Sequence, residues 1–186
     1  MNFIADKSFD RSFVFSKGEY DNCTFENCDF TGNDFGNSTF TDCTFTDCNF
    51  SLVKVSKASL RDVTFKDCKL LGFRFDQCNQ MLFAAEFENC QLDLASFFQL
   101  KLRKQRFKGC SMREVDFSET DLAQAVFEDC DLQNAIFDNT ILEKADFRRA
   151  QNFTIDPETN YIRGAKFALA GTRGLLDKYG LEIEDF

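Results

Sequence analysis

Phenylalanine falls on every fifth residue of the stretch "DNCTFENCDFTGNDFGNSTFTDCTFTDCNF", residues 21–50, at Phe25, Phe30, Phe35, Phe40, Phe45 and Phe50. A period of five suits neither the 3.6-residue turn of a helix nor the two-residue alternation of a strand, so neither element alone brings these rings to one side. A coil built of corners does. If each five-residue unit makes one edge and one turn, four units close a square of twenty residues, with the central side chain inside and its neighbours outside. Such squares bury their apolar residues only by stacking, which predicts an all-β solenoid.

The phase can be followed along most of the chain. Apolar or aromatic residues occupy Phe15, Tyr20, Phe25 and every fifth position to Phe75, including Val55 and Leu60. Position 80 breaks the series with Gln80, and the pattern resumes at Leu82, Phe87 and Leu92 and continues to Leu142 and Phe147. The cysteines report the same slip. All nine stand two residues before a central position, a site shared with Ala58, Ala95, Ala125, Ser38 and Thr120, so a small inward side chain is required there. Cys28, Cys48 and Cys68 are spaced by twenty, as are Cys90, Cys110 and Cys130, whereas Cys68 and Cys90 are spaced by twenty-two. A two-residue bulge within residues 76–81 would keep all six thiols in one ladder, inside a single repeat domain spanning residues 1–151.

The segment "AVFEDCDLQNAIFDNTILEKADF" resembles the A(D/N)LXX pattern of the pentapeptide-repeat proteins, and the resemblance covers roughly residues 13 to 151. It implies a right-handed quadrilateral β-helix. The N-terminal half departs from the pattern by using Phe where the family commonly has Leu, which affects the width of the core.

No catalytic, cofactor-binding or metal site is expected. The chain has no histidine, the commonest acid–base group, and its scattered glycines form no phosphate-binding loop. Carboxylate pairs such as Asp129 and Asp131 already follow from outward positions of the repeat. Cys23 with Cys28 and Cys43 with Cys48 have a spacing that suggests metal, but these positions alternate with Ala and Ser, which favours packed, reduced thiols over a metal site or disulfides. No apolar run is long enough to span a membrane and "MNFIADKSFD" has no charged-then-apolar leader, so a cytoplasmic chain is expected.

Charge is distributed unevenly. Residues 18–53 carry Glu19, Asp21, Glu26, Asp29, Asp34, Asp42 and Asp47 with no Lys or Arg, and residues 114–143 carry nine acids, among them Glu114, Asp116, Glu119, Asp121, Glu128, Asp129 and Asp131, again with no Lys or Arg. Between them lie Lys101, Arg103, Lys104, Arg106, Lys108 and Arg113. Stacking at a period of twenty puts Lys66, Glu88, Lys108, Glu128 and Arg148 in one column of alternating sign, so the basic segment is expected to be paired. A net charge of −9 also argues against direct binding to nucleic acid.

The tail "NFTIDPETNYIRGAKFALAGTRGLLDKYGLEIEDF" resembles the C-terminal segment of the microcin-immunity and quinolone-resistance subgroup, where a short helix caps the solenoid and carries a dimer contact. In residues 152–186, Leu175, Leu176 and Tyr179 can share a helical face, Gly180 suits a left-handed cap and Leu181 can fold back, so these four are the candidate dimer residues. Met81, Phe83, Leu94 and Phe98 stand where solvent-facing residues are expected and are candidates for a partner contact. The resemblance implies a protein that imitates DNA and protects DNA gyrase or topoisomerase IV from poisons, with the two acid-rich ends as the contact. A non-catalytic scaffold with an unrelated partner uses the same repeats equally well.

Overall fold

The computed structural model describes residues 2–184 and is a parallel β-solenoid with four faces per coil. The first face is a sheet of β1 (Asn2–Ala5), β3 (Gly18–Asp21), β5 (Thr39–Thr41) and β7 (Ser59–Arg61). The second face holds β2 (Ser8–Phe9), β4 (Thr24–Glu26), β6 (Thr44–Thr46), β8 (Val63–Lys66), β9 (Ala85–Glu88), β10 (Arg106–Lys108) and β11 (Val126–Glu128). The third and fourth faces are joined by single bridges, such as Asp29 to Asn49 to Lys69 and Ser96 to Asp116 to Ile136.

The period of five arises from what each unit position must do. The central residue points inward: Phe25, Phe30, Phe35 and Phe40 are all buried. Two residues later the chain turns a corner with positive φ, as at Asn22, Asn27, Asp42, Asp47, Asp62 and Asp67, a conformation that Asn and Asp tolerate better than other side chains. These corners hand their N–H to the next coil, Asp42 to the carbonyl of Arg61 and Asp47 to that of Lys66, both at 3.0 Å, except at Asp62, beside the slip, where Val63 is the donor.

Inside, the rings form columns. On the second face Phe9, Phe25, Phe45, Phe65, Phe87, Phe107, Phe127, Phe147 and Phe167 stack in an unbroken series, with neighbouring centroids from 4.6 Å to 5.6 Å apart. Most rings on adjacent faces meet edge to face instead, as Phe25 and Phe30 do at 5.8 Å and 71°, although Phe35 and Phe40 stack at 28°. Both arrangements suit the ring quadrupole. All nine cysteines are buried and free, and Cys48, Cys68 and Cys90 each direct their thiol to a backbone carbonyl of the preceding coil, those of Phe25, Phe45 and Phe65.

Coil pairing steps by twenty, as from Phe45 to Phe65, up to the slip, and Asn79 still lies beside Ser59, donating its side-chain N–H to the Ser59 hydroxyl at 3.2 Å. From Val63 opposite Ala85 onward the step across the slip is twenty-two. The two extra residues therefore fall in residues 80–84, overlapping the expected window of 76–81 at its last two positions. Leu82 is not the inward residue that the phase predicts. It is 68% exposed at φ 61°, and Phe83 takes the inner place, edge to face with Phe75 at 6.1 Å. The larger ring reaches the core from a rerouted backbone that Leu82 cannot fill.

The stack also extends past both limits of the sequence pattern. Ile4 and Phe9 form an opening coil that pairs with Tyr20 and Phe25 at a step of sixteen. At the far end Ile141 bridges Tyr161 and Asp146 bridges Lys166, so a further partial coil follows residue 151. The expected terminal helix is present as two 3-10 turns, Leu169–Leu175 and Asp177–Tyr179, closed by Gly180 at φ 60°. Gly171 and Gly174 set this tight form. A Cβ on Gly174 would run into the carbonyl oxygen of Phe153, and the Gly174 carbonyl itself accepts the N–H of Ile155 at 3.0 Å.

Phe65 sits mid-column between Phe45 and Phe87 and also touches Phe50 and Phe75. Phe65→Ala is expected to cost about 3–5 kcal/mol in urea unfolding, whereas Phe9→Ala, in the half-covered end coil, costs less than half as much. Burial pushes the Cys43 and Cys78 thiols up to about 12. An unfolded thiol ionises near ~8.5, so above that pH the unfolded chain releases protons that the folded chain keeps, and stability falls by roughly 1.4 kcal/mol per pH unit for each thiol. Urea midpoints measured at about pH 8 and about pH 10.5 should show this drop, and replacement of both cysteines by Ala should lessen it, the rest coming from the other raised thiols such as Cys28 and Cys90.

Candidate functional site

The acids divide into two structural kinds. Those immediately before a central residue bind their own turn: Asp29 accepts the N–H and hydroxyl of Thr31 at 3.0 Å and 2.5 Å, and Asp34, Asp116, Asp121 and Asp131 accept the N–H two residues on. These bonds hold Asp29 below the ordinary carboxylate range, and the Lys17 ammonium, 2.6 Å away, does the same for Asp34. Such carboxylates are occupied by the fold. Acids at the left-handed corners and on the outer strand surfaces make no such bond and project into solvent.

Face by face, the N-terminal acids separate. Glu19 and Asp21 flank Tyr20 on the first face, Asp29 belongs to the third and Asp34 to the fourth. Glu26, Asp42 and Asp47 border the second face and are joined there by residues that a linear charge count passes over. Asp6, Asn22, Asp42 and Asp62 follow one another along the corner between the first and second faces, and Asn27, Asp47, Asp67 and Asn89 along the corner between the second and third. Between these columns lies a floor of Thr24, Thr44, Thr46 and Thr64, with Glu26, Glu86 and Glu88 at its margins and Lys66 within it. The signal for Asp62 and Asp67 was their spacing of twenty from Asp42 and Asp47, the same spacing that located the thiols.

Among the described residues, Asp6, Glu19, Asp21, Glu26, Asp29, Asp42, Asp47, Asp62 and Asp67 make no ion pair. Four of the nine acids in residues 114–143 are paired with arginines of neighbouring coils. Arg103 meets Asp121 at 3.0 Å, Arg113 meets Asp131 at 2.6 Å, Arg106 and Arg149 both meet Glu128, and Arg149 also holds Asp129. Glu119 accepts the Gln99 amide at 2.7 Å, while Glu114 occupies a left-handed corner. The alternating column is present in register, with Lys108 on Glu88 at 2.7 Å. Arg106 lies opposite Val126 and reaches diagonally to Glu128.

The apolar candidates are spread around one coil. Met81 and Leu94 are 71% and 53% exposed, Phe98 is half-buried, and Phe83 packs on the core. Of the tail residues, Leu175 also packs on the core, whereas Leu176, Tyr179 and Leu181 are exposed. Lys178 ties the cap down, 2.7 Å from both Asp156 and Glu158. Among the described residues there is no cluster fit to hold a metal ion and no helix long and apolar enough to cross a membrane.

A comparison with curated proteins gave no match. Among solved structures the chain is similar to trypsin-treated QnrB1, a plasmid-mediated fluoroquinolone resistance protein, at 21% identity and a TM-score of 0.50, covering 98% of this chain and 97% of that one. It is also similar to HetL, a pentapeptide repeat protein involved in heterocyst differentiation regulation in the cyanobacterium Nostoc, at 14% identity and a TM-score of 0.47, covering 82% and 85%. The pattern of the pentapeptide repeat region matches residues 19–83 and 80–152. With that match across most of its length and a coil that repeats every fourth unit, the chain belongs to the pentapeptide-repeat family.

Proposed function

We propose that this protein binds a type II topoisomerase, DNA gyrase or topoisomerase IV, on the surface that otherwise holds DNA, and so shields the enzyme from poisons such as quinolones or microcin. The observation that carries the reading is the pair of acid columns along the second face, whose carboxylates are exposed and free of ion pairs among the described residues. Where Asp42 and Asp47 stand above Asp62 and Asp67, two corner acids per coil at ~4.8 Å spacing give one charge per roughly 2.4 Å, against one per ~1.7 Å in duplex DNA. A DNA-binding surface is cationic and would meet these columns much as it meets phosphates. The rod supplies charge, shape and rigidity, and no step of chemistry is required of it.

This reading places the contact in the N-terminal half, where the corner acids make no ion pair among the described residues, whereas Asp121, Glu128, Asp129 and Asp131 of the other half are engaged by arginine. QnrB1, of the same fold, is a fluoroquinolone resistance protein, which agrees with the proposal. The exposed Met81 and Leu94 favour a second reading, a scaffold for an unrelated protein partner. Exposed Leu176, Tyr179 and Leu181 would serve a second copy of the chain in either case.

The test is protection of gyrase and topoisomerase IV supercoiling or relaxation activity from ciprofloxacin. Asp42→Asn, Asp47→Asn, Asp62→Asn and Asp67→Asn combined should raise the concentration needed for protection by about tenfold or more, and raised salt should have the same effect on the wild type. Asn suits the left-handed corners, so the variant keeps its fold. Glu128→Gln, on the arginine-paired end, should leave protection unchanged. Failure of the wild type to protect either enzyme would leave the scaffold reading standing.

A further inference from the structure

The corner between the third and fourth faces departs from the rule that fills the others with Asn and Asp. Along it stand Gly32, Leu52, Gly72 and Leu94, one per coil and all at positive φ. Leu52 and Leu94 hold φ 61° and 62°, a conformation that suits Asn, Asp or Gly and strains leucine. Burial does not offset the strain, for Leu52 is 80% exposed and Leu94 53%. Leu71, beside Gly72 in the coil between them, is 41% exposed, so leucines of three successive coils make one apolar ridge about 10 Å long. Cations flank it. In the two coils that carry Leu52 and Leu71, the outer positions of the third and fourth faces hold Lys54, Lys57, Lys69 and Arg74 against a single acid, Asp76, which Arg74 engages at 2.7 Å. Lys54, Lys57 and Lys69 are exposed and make no ion pair among the described residues. Asp34 lies beside Lys54 in the preceding coil, but its carboxylate is held by Lys17 at 2.6 Å. Asp93, next to Leu94, accepts the Ser111 hydroxyl at 2.6 Å and the Arg113 N–H at 2.9 Å, and Glu114 ends the ridge one coil further on.

We propose that this corner is a peripheral binding site for an anionic lipid surface. The three leucines enter the boundary between headgroups and acyl chains, and the lysines, on long aliphatic stems, keep their ammonium groups at the level of the phosphates. Shape selects this occupant over an acidic peptide. A corner of the square is convex, whereas a peptide is held in a groove or along a free strand edge, and the third face beside the ridge is bridged from coil to coil through Asp29, Asn49, Lys69 and Gln91. Nucleic acid would meet the same lysines but leave the leucines in water. The charge of the rest of the rod agrees with this seating. Asp42 and Asp62 run along the diagonally opposite corner and turn away from the lipid, while Asp47 and Asp67 stand at the far edge of the third face. In any other orientation a chain of net charge −9 is repelled by an anionic surface. The ridge and the acid columns are separate surfaces, and either can act without the other.

Flotation of the full chain with lipid vesicles tests this. Wild type should bind vesicles made of phosphatidylglycerol and phosphatidylcholine in equal parts, less so at raised salt, and should leave pure phosphatidylcholine vesicles bare. Leu52→Asn with Leu94→Asn, and separately Lys54→Gln with Lys57→Gln and Lys69→Gln, should each weaken binding by about tenfold or more. Asn suits the left-handed corner, so the leucine variant should unfold at the same or a higher urea concentration than the wild type, which separates lost binding from lost fold. The chain contains no tryptophan, so Leu71→Trp supplies a single reporter whose emission should shift to the blue on the anionic vesicles and stay in place on the neutral ones. No binding to the anionic vesicles, equal binding to both kinds, binding unchanged in either variant, or an emission that does not move would each overturn the proposal. So would capture of the wild type by an immobilised polyglutamate peptide, lost in the lysine variant, in a protein that stays off the vesicles, since that result assigns the corner to an acidic protein.

Discussion

Everything in this molecule depends on a match between two spacings. Parallel strands hydrogen-bond at about 4.8 Å, and aromatic rings one above another sit comfortably at nearly the same distance. The column from Phe9 to Phe167 shows both conditions met at once, with neighbouring centroids between 4.6 Å and 5.6 Å. Backbone ladders fix the rise and ring columns fix the rotation, so each coil specifies the next. Because nearly all tertiary contact is between neighbouring coils, the structure is close to one-dimensional in its energetics.

The surface is governed by a second rule, which decides where charge can be used. A carboxylate just before a central residue is consumed by its own turn, as Asp29 is by Thr31. A carboxylate at a corner is placed there because Asp and Asn accept positive φ, and its own turn does not use its oxygens. Conformational preference and surface potential thus draw on the same positions. In the C-terminal half Arg113 reaches forward one coil to Asp131 and Arg149 back one coil to Asp129; in the N-terminal half the outer strand positions of the second face carry mostly Thr, and the corner acids Asp42, Asp47, Asp62 and Asp67 remain exposed.

Much of the fold was legible because the period of five holds on both sides of a single slip and its markers are independent. Central rings, small inward residues and the cysteine ladder all reported the same slip near residue 80. What failed was local. Leu82 fits the phase by number, but a chain that must absorb two residues chooses the side chain that reaches the core, and Phe83 reaches further. Ile4 and Phe9 were five apart, yet the opening coil pairs at a step of sixteen, so nothing tied them to the phase of Phe15. The last coil was hidden because Asn152 and Pro157 stand where ring or leucine is expected, while Phe153 and Ile155 do the packing. The acidic face was half visible: a window of consecutive residues found Asp42 and Asp47, but Asp62 and Asp67 lie outside it and join only through the twenty-residue column.

The coil length has a consequence of its own. Since one circuit is twenty residues and every circuit presents the same four faces, removal or duplication of twenty residues away from residues 80–84 would leave each remaining side chain on its face. The rod is therefore a ruler graduated in steps of about 4.8 Å, and the distance between its acidic half and its cap can be lengthened or shortened by inheritance without redesigning either of them.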